Sequence, residues 1–211
     1  MFPLSAGLIG WLTLPGFRMP SKRSLFAIFG AYALVSVVGA NGAEAQLAPG
    51  PLLDASAQLG AIEIDGVLDE PEWERGHVFT GFTQREPVEG EPAEHDTEVR
   101  VLLGDGAIWI AARMWDSEPD RIEARLTRRD TEGEHDEFAV MFDPDLDGLT
   151  GYVFAVNAAN VQRDVYFFED DKEDGAWDAV WASGVRIDAQ GWTAELRIPL
   201  SQIRYEASAD P

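Results

Sequence analysis

Residues 98–115 read EVRVLL-GDG-AIWIAARMW, and this stretch decides the fold. Two runs that alternate apolar and polar positions, Glu98–Leu103 and Ala107–Trp115, flank the Gly104-Asp105-Gly106 turn. A short Gly/Asp connection between two such runs is a β-hairpin signal. On the second run Ile108, Ile110, Ala112 and Met114 share one face, which reads as core, and Trp109, Ala111, Arg113 and Trp115 share the other.

The same period-two pattern recurs on both sides of the hairpin. Upstream, Ala61–Asp65 alternates; downstream, Glu137–Asp143, Tyr152–Asn157, Val161–Phe168, Val180–Ile187 and Trp192–Ile198 are strand candidates. Turn signals separate them at Asp143-Pro144 through Gly148, at Asp174-Gly175 and at Gln190-Gly191. Strands at this spacing without long helices between them predict an all-β sandwich or barrel, with one or two short helices at Glu70–Arg75 and Asp120–Arg129.

The chain has 211 residues, no cysteine, 38 acidic and 16 basic residues, and a formal net charge of −22. With 7 Trp, 11 Phe and a 45% hydrophobic composition it is no disordered acidic tail. The absence of Cys excludes disulfides, thiolate metal sites and a cysteine nucleophile. The acidic balance argues against nucleic acid and against anionic membrane surfaces as partners.

The first 45 residues differ in character. They carry Arg18, Lys22 and Arg23 against a single acidic residue, Glu44. Lys22-Arg23 precedes the apolar run Ser24–Val38, and Ala43-Glu44-Ala45 closes it. A cationic start, an apolar stretch and an A-x-A end predict a signal peptide over 1–45, cleaved before Gln46, with Met19 as an alternative start. Export to the periplasm, the outer membrane or the medium follows. The domain plan is then a leader (1–45), a linker (46–60), a sandwich (61–205) and a tail (206–211).

Three constellations carry candidate chemistry. Arg113 and Trp115, about 7 Å apart along a strand, suit a sugar: a Trp ring packs on the C–H face of a pyranose and an Arg bonds its hydroxyls. The alternative is that this face packs under a loop. Trp177 and Trp181, after the acidic stretch 169–174, are either sugar platforms or plugs for one end of the core. Asp143, Asp145 and Asp147 lie in D-x-D-x-D-G, the opening of a calcium loop, but the twelfth position is Phe154, so the segment is no EF-hand; it is either a Ca²⁺ site or a hairpin turn. The three His show no ligand spacing, and catalysis is not expected.

The order of the motifs carries a resemblance. Ile64-Asp-Gly-Val-Leu-Asp-Glu-Pro-Glu-Trp73 comes first, then the hairpin ending at Arg113 and Asp116, then Asp136–Asp143, Tyr152–Asn157 and Gly191-Trp-Thr-Ala-Glu-Leu-Arg-Ile-Pro199. This series resembles the family 9 carbohydrate-binding modules over residues 61–205. It looks closest to the branch at the amino terminus of larger bacterial envelope proteins. The resemblance implies an all-β, antiparallel, jelly-roll-like β-sandwich that binds sugar, is non-catalytic in itself, is stabilised by calcium and is joined to a downstream domain. It implies polysaccharide or oligosaccharide as partner and leaves glycan identity and oligomeric state open. The other reading is a structural or assembly module of an outer-membrane-associated protein. The sugar-clamping pattern departs here: Glu132-Gly133-Glu134-His135 stands where one Trp is expected, Ala155 near where an Arg is expected, and the second Trp position lies past Pro211.

Overall fold

The computed structural model describes residues 25–30, 57–144, 149–169 and 172–204. Ten strands form two five-stranded sheets. Sheet A runs in the order β1 (Leu25–Gly30), β5 (Glu137–Asp143), β6 (Gly151–Asn157), β7 (Gln162–Phe168) and β8 (Lys172–Asp174). Sheet B runs β2 (His77–Phe79), β3 (Thr97–Gly104), β4 (Ala107–Trp115), β10 (Gly191–Pro199) and β9 (Ala182–Asp188). Every ladder is antiparallel except that of β1, which lies parallel to β5 with Leu25 opposite Phe138 and Gly30 opposite Asp143. The rest of the expected leader, the linker up to Ser56 and the tail beyond Arg204 lie outside the described residues.

The hairpin forms as the sequence predicts, with Asp105 and Gly106 in the left-handed region at φ 51° and 67°. β10 then lays its full length against β4, from Gly191 opposite Trp115 to Pro199 opposite Ala107. Alternation places Ile110, Ala112 and Met114 of β4 with Trp192, Ala194, Leu196 and Ile198 of β10 on the inner face. There they meet Phe138, Val140, Phe142, Phe154 and Val156 of sheet A. This layer is the core; burying a side chain of that size contributes about 1.5–3 kcal/mol.

Each sheet also has an apolar outer face. On sheet A it is Ala139, Met141, Val153, Ala155, Val165 and Phe167. On sheet B, Trp73, Leu102, Trp109 and Ala111 are packed with Leu59, Ile62, Ile64 and Leu68. The last four belong to a strap, residues 57–76, that crosses the sheet without pairing as a strand.

That strap corrects one expectation: Ala61–Asp65 is not a strand. Its alternation is real, because Ile62 and Ile64 face the sheet, but its amides bond side chains, such as Glu63 N–H to Glu70, instead of a neighbouring ladder. The short helix at Glu70–Arg75 appears as a 3₁₀ helix, Pro71–Arg75, with Trp73 buried beneath it. The helix expected at Asp120–Arg129 does not form. Only Pro119–Arg121 is 3₁₀, and the rest runs irregularly along the end of the sandwich. Its backbone is satisfied across the chain: Asp136 N–H donates to Glu123 O, Glu123 N–H to Asp136, Asn157 Nδ2 to Arg125 O and Asp130 N–H to Gln162 O. Those bonds replace the i→i−4 ladder that a helix would need.

Candidate functional site

The outer face of sheet B divides in two. The strap covers the half around Trp109, whose indole N–H donates to Gly104 O at 3.1 Å and whose ring carries the Arg197 guanidinium at 5.0 Å. The loop-packed alternative therefore holds for Trp109. The other half includes the exposed end of β4. Trp115 is 38% exposed at the end of β4, and Arg113 stands two residues before it on the same face with its guanidinium carbon 6.0 Å from the Trp115 ring centroid.

Arg113 is not loose. Its two terminal nitrogens donate to both oxygens of Asp188, at the end of β9, at 2.6 and 2.8 Å. This fork-to-carboxylate pairing fixes the guanidinium plane. Hydrogen bonding from Arg113 holds the Asp188 carboxyl well below the usual range, at about 2. The arrangement is an exposed aromatic surface edged by one oriented donor group and one ionised acceptor. A ring that presents C–H bonds on its face and hydroxyls at its edge matches it.

The structure brings Trp177 and Trp181 together, but as packing. Phe154 meets the edge of both rings, at 5.6 Å each, and Trp177 also touches Tyr152 at 5.2 Å. Trp181 is 8% exposed, with its indole N–H donated to Asp164 at 3.2 Å. Trp181 therefore lies in the core and offers no face to a ligand. Trp177 is half-buried against the same cluster.

Asp143 closes β5 and is buried, whereas Asp145 and Asp147 lie outside the described residues. Among the described residues no group of three or more His, Asp or Glu side chains is arranged to hold a metal ion. Of the three carboxylates of the D-x-D-x-D-G segment, the described residues include Asp143 alone.

Three polar clusters escape the sequence reading. On the outer face of sheet A, Arg163 donates to both oxygens of Glu137 at 3.1 and 2.7 Å, and His135 Nε2 lies 3.8 Å from the same carboxylate. Arg163 is the ladder partner of Ala155. At one end of the sandwich, fully buried Asp164 accepts from Ala179 N–H, Trp181 Nε1 and Arg129. Under the strap, fully buried Glu195 accepts from Asp65 N–H at 3.0 Å, Gly66 N–H at 2.7 Å and Trp73 Nε1 at 3.0 Å. The signal for the last two is faint, because their partners lie far away in sequence.

Comparison with known proteins gives an architectural likeness. No family model matches the sequence, and no curated protein does. Two solved structures of a carbohydrate binding module family 9 from Caldicellulosiruptor kristjanssonii, one in complex with glucose and one with cellotriose, are each 16% identical to this chain. The glucose complex covers 71% of this chain and 70% of its own, with a TM-score of 0.47. The cellotriose complex covers 71% and 68%, with a TM-score of 0.45.

Proposed function

We propose that this chain is an exported, non-catalytic carbohydrate-binding domain, the amino-terminal module of a larger envelope protein that binds or helps break down polysaccharide. One observation carries the reading: Trp115 lies open beside an Arg113 guanidinium clamped by Asp188. The exposed part of the Trp115 ring offers an apolar face on which a sugar ring can stack, and the polar pair at its edge supplies direction. The order of sequence motifs supports the same class. Neutral chains such as xylan or cellulose fit the site better than polyuronates, because a net charge of −22 repels an anionic polymer within a screening length of about 10 Å at 0.1 M salt.

Retention on insoluble xylan and cellulose tests the reading, with pectin as the anionic control. Wild-type chain should be held and Trp115→Ala should wash through. Equal retention of both, or stronger retention on pectin, sinks it; failure to bind any glycan leaves the assembly-module reading. Export rests on the Lys22-Arg23, Ser24–Val38 and Ala43-Glu44-Ala45 pattern. Mass spectrometry of the exported product should find Gln46 as the first residue, and an intact Met1 or Met19 would end that part of the proposal.

Calcium binding at Asp143, Asp145 and Asp147 is part of the same proposal, supported by the alternate carboxylates of the loop. Millimolar Ca²⁺ should raise the melting temperature more than Mg²⁺ or matched NaCl does, and Asp145→Ala with Asp147→Ala should remove the difference. At free Ca²⁺ a hundredfold above its dissociation constant, the linkage contributes about 2.7 kcal/mol.

A further inference from the structure

We propose that Glu195 and Glu70 form a proton-operated lock that fastens the strap, residues 57–76, to the outer face of sheet B. Both carboxylates converge on one donor. Trp73 Nε1 lies 3.0 Å from Glu195 Oε1 and 3.1 Å from Glu70 Oε2. Their remaining oxygens hold the strap backbone: Glu195 Oε2 takes the amides of Asp65 and Gly66, and Glu70 Oε1 takes that of Glu63 at 2.8 Å. Thr193 completes the clasp by donating its hydroxyl to Gly66 O at 2.6 Å.

The site is built for close approach. Glu195 faces Gly184 across the β10–β9 ladder and Ala111 across the β10–β4 ladder, so neither neighbour fills the space beside it. The Asp65-Gly66 turn enters that space, and a Cβ on Gly184 would sit 2.6 Å from Gly66 N. Gly66 adopts φ 87°, which an L side chain tolerates poorly.

The charges around the lock do not balance it. The strap carries Glu63, Asp65, Asp69, Glu70, Glu72 and Glu74 against Arg75, and among these the Glu70 charge acts on Glu195. On β10, Arg197 is stacked on Trp109. On β4, Arg113 is committed to Asp188 of β9. Arg186 of β9 stands opposite Thr193, two pairs further along. On β3, Arg100 bonds Glu98 and Trp73 O. No cation among the described residues is bonded to Glu195, which meets a second carboxylate instead.

Burial pushes the Glu195 carboxyl up to about 7, the Glu70 charge pushes the same way, and the N–H donors of Gly66, Asp65 and Trp73 oppose them. A proton on Glu195 removes one of the two like charges that share the Trp73 donor, and the repulsion with it. A group whose folded value is raised stabilises fully below its ordinary value of 4.5 and loses that contribution as pH climbs through about 7. The strap is therefore tightest in mild acid. This does not depend on sugar binding.

Hydrogen exchange on the full chain, corrected for the intrinsic rate, reads the lock from peptides spanning residues 61–76. Between pH 5 and pH 8 the opening of the wild-type strap should rise by tens of fold, on the order set by a shift of that size. Glu195→Gln, which carries no titrating proton, should stay flat across that range. Glu70→Gln should move the rise to a different pH by removing the like charge. A wild-type rise no larger than that of Glu195→Gln overturns the proposal. Should Glu195→Gln fail to fold, Glu70→Gln decides alone, and an unmoved rise overturns it.

Discussion

Asp164 and Glu195 are both fully buried, and each holds the indole N–H of a tryptophan and the amide of a neighbouring loop. Their company is opposite. Asp164 faces the Arg129 guanidinium, which also reaches Asp178 and Ala179 O. Glu195 faces Glu70. A buried charge must be compensated by a counter-charge, by donors or by a proton. At Asp164 the compensation includes a permanent counter-charge, Arg129. At Glu195 it is partly a proton and therefore varies with the solution. One carboxylate is a fixed rivet for the 176–181 loop, the other an adjustable one for the strap.

The largest test of this contrast is Asp164→Ala. It leaves Ala179 N–H and Trp181 Nε1 without an acceptor and Arg129 without its buried partner. Arg129 retains solvent contact, with 36% of its side chain exposed, so the cost falls at the low end for a broken buried pair, about 3 kcal/mol. Urea unfolding measures it, and a loss below about 1 kcal/mol would reduce the cluster to surface decoration.

Next in size is Gly184→Ala. The added methyl meets backbone, Gly66 N at 2.6 Å and Asp65 C at 2.8 Å, and not the yielding end of a side chain. The turn must shift, at about 1–3 kcal/mol. Exchange should rise in peptides 61–76 and leave 138–142 alone. A uniform rise would mean that the strap and the core unfold as one unit.

Glu195→Gln is expected to be smaller and of opposite character to Asp164→Ala. At pH 8 it removes a buried like charge while keeping a group of the same shape, so it should cost less than about 1 kcal/mol or even stabilise. At pH 5, where the native carboxyl is protonated, the substitution gains nothing from charge removal and compares less well with wild type. Parallel melting curves of wild type and variant from pH 5 to pH 8 would contradict the contrast between the two rivets.

These two acids also mark where the sequence stops being legible. Period two reveals which strand faces are apolar, which is why Trp192, Ala194, Leu196 and Ile198 are readable as core and β5 has its boundaries at Glu137 and Asp143. The same pattern sends Glu195 and Arg197 to the other face, and an outer face ordinarily means solvent. Here it means the underside of the strap, because Ile62, Ile64 and Leu68 pack on that face without joining a ladder. Asp164 is hidden for a related reason. Its partners at 129, 179 and 181 come from loops whose paths no local periodicity encodes. The Trp pair illustrates the limit: spacing puts Trp177 and Trp181 on one side, but only Phe154, lodged against both, places them on the core. Arg113 and Trp115 needed nothing beyond a single strand, and they stand where alternation puts them.

The smallest stability effect comes from the third carboxylate, Asp188, and it is the most informative about function. Its bond with Arg113 is bidentate and short, yet 42% of the Asp188 side chain is exposed, so solvent screens the pair and its contribution is at most about 1 kcal/mol. The carboxyl lies below its ordinary value, so the contribution is present above pH 3.8 and fades as pH falls through about 2. At pH 7, Asp188→Asn should therefore shift the urea midpoint very little. What it should change is the aim of the guanidinium. An amide offers one acceptor oxygen in place of two and no charge, so Arg113 is no longer held in one plane beside the Trp115 ring. Glycan retention should then fall several-fold while stability holds, and Trp115→Ala should abolish retention at a stability cost of about 1–2 kcal/mol, because the ring is only 38% exposed. Retention untouched by Asp188→Asn but lost in Trp115→Ala would leave the ring as the sole contact. Retention untouched by both would move the binding surface away from sheet B, with the Glu137–Arg163 pair on sheet A as the next place to mutate.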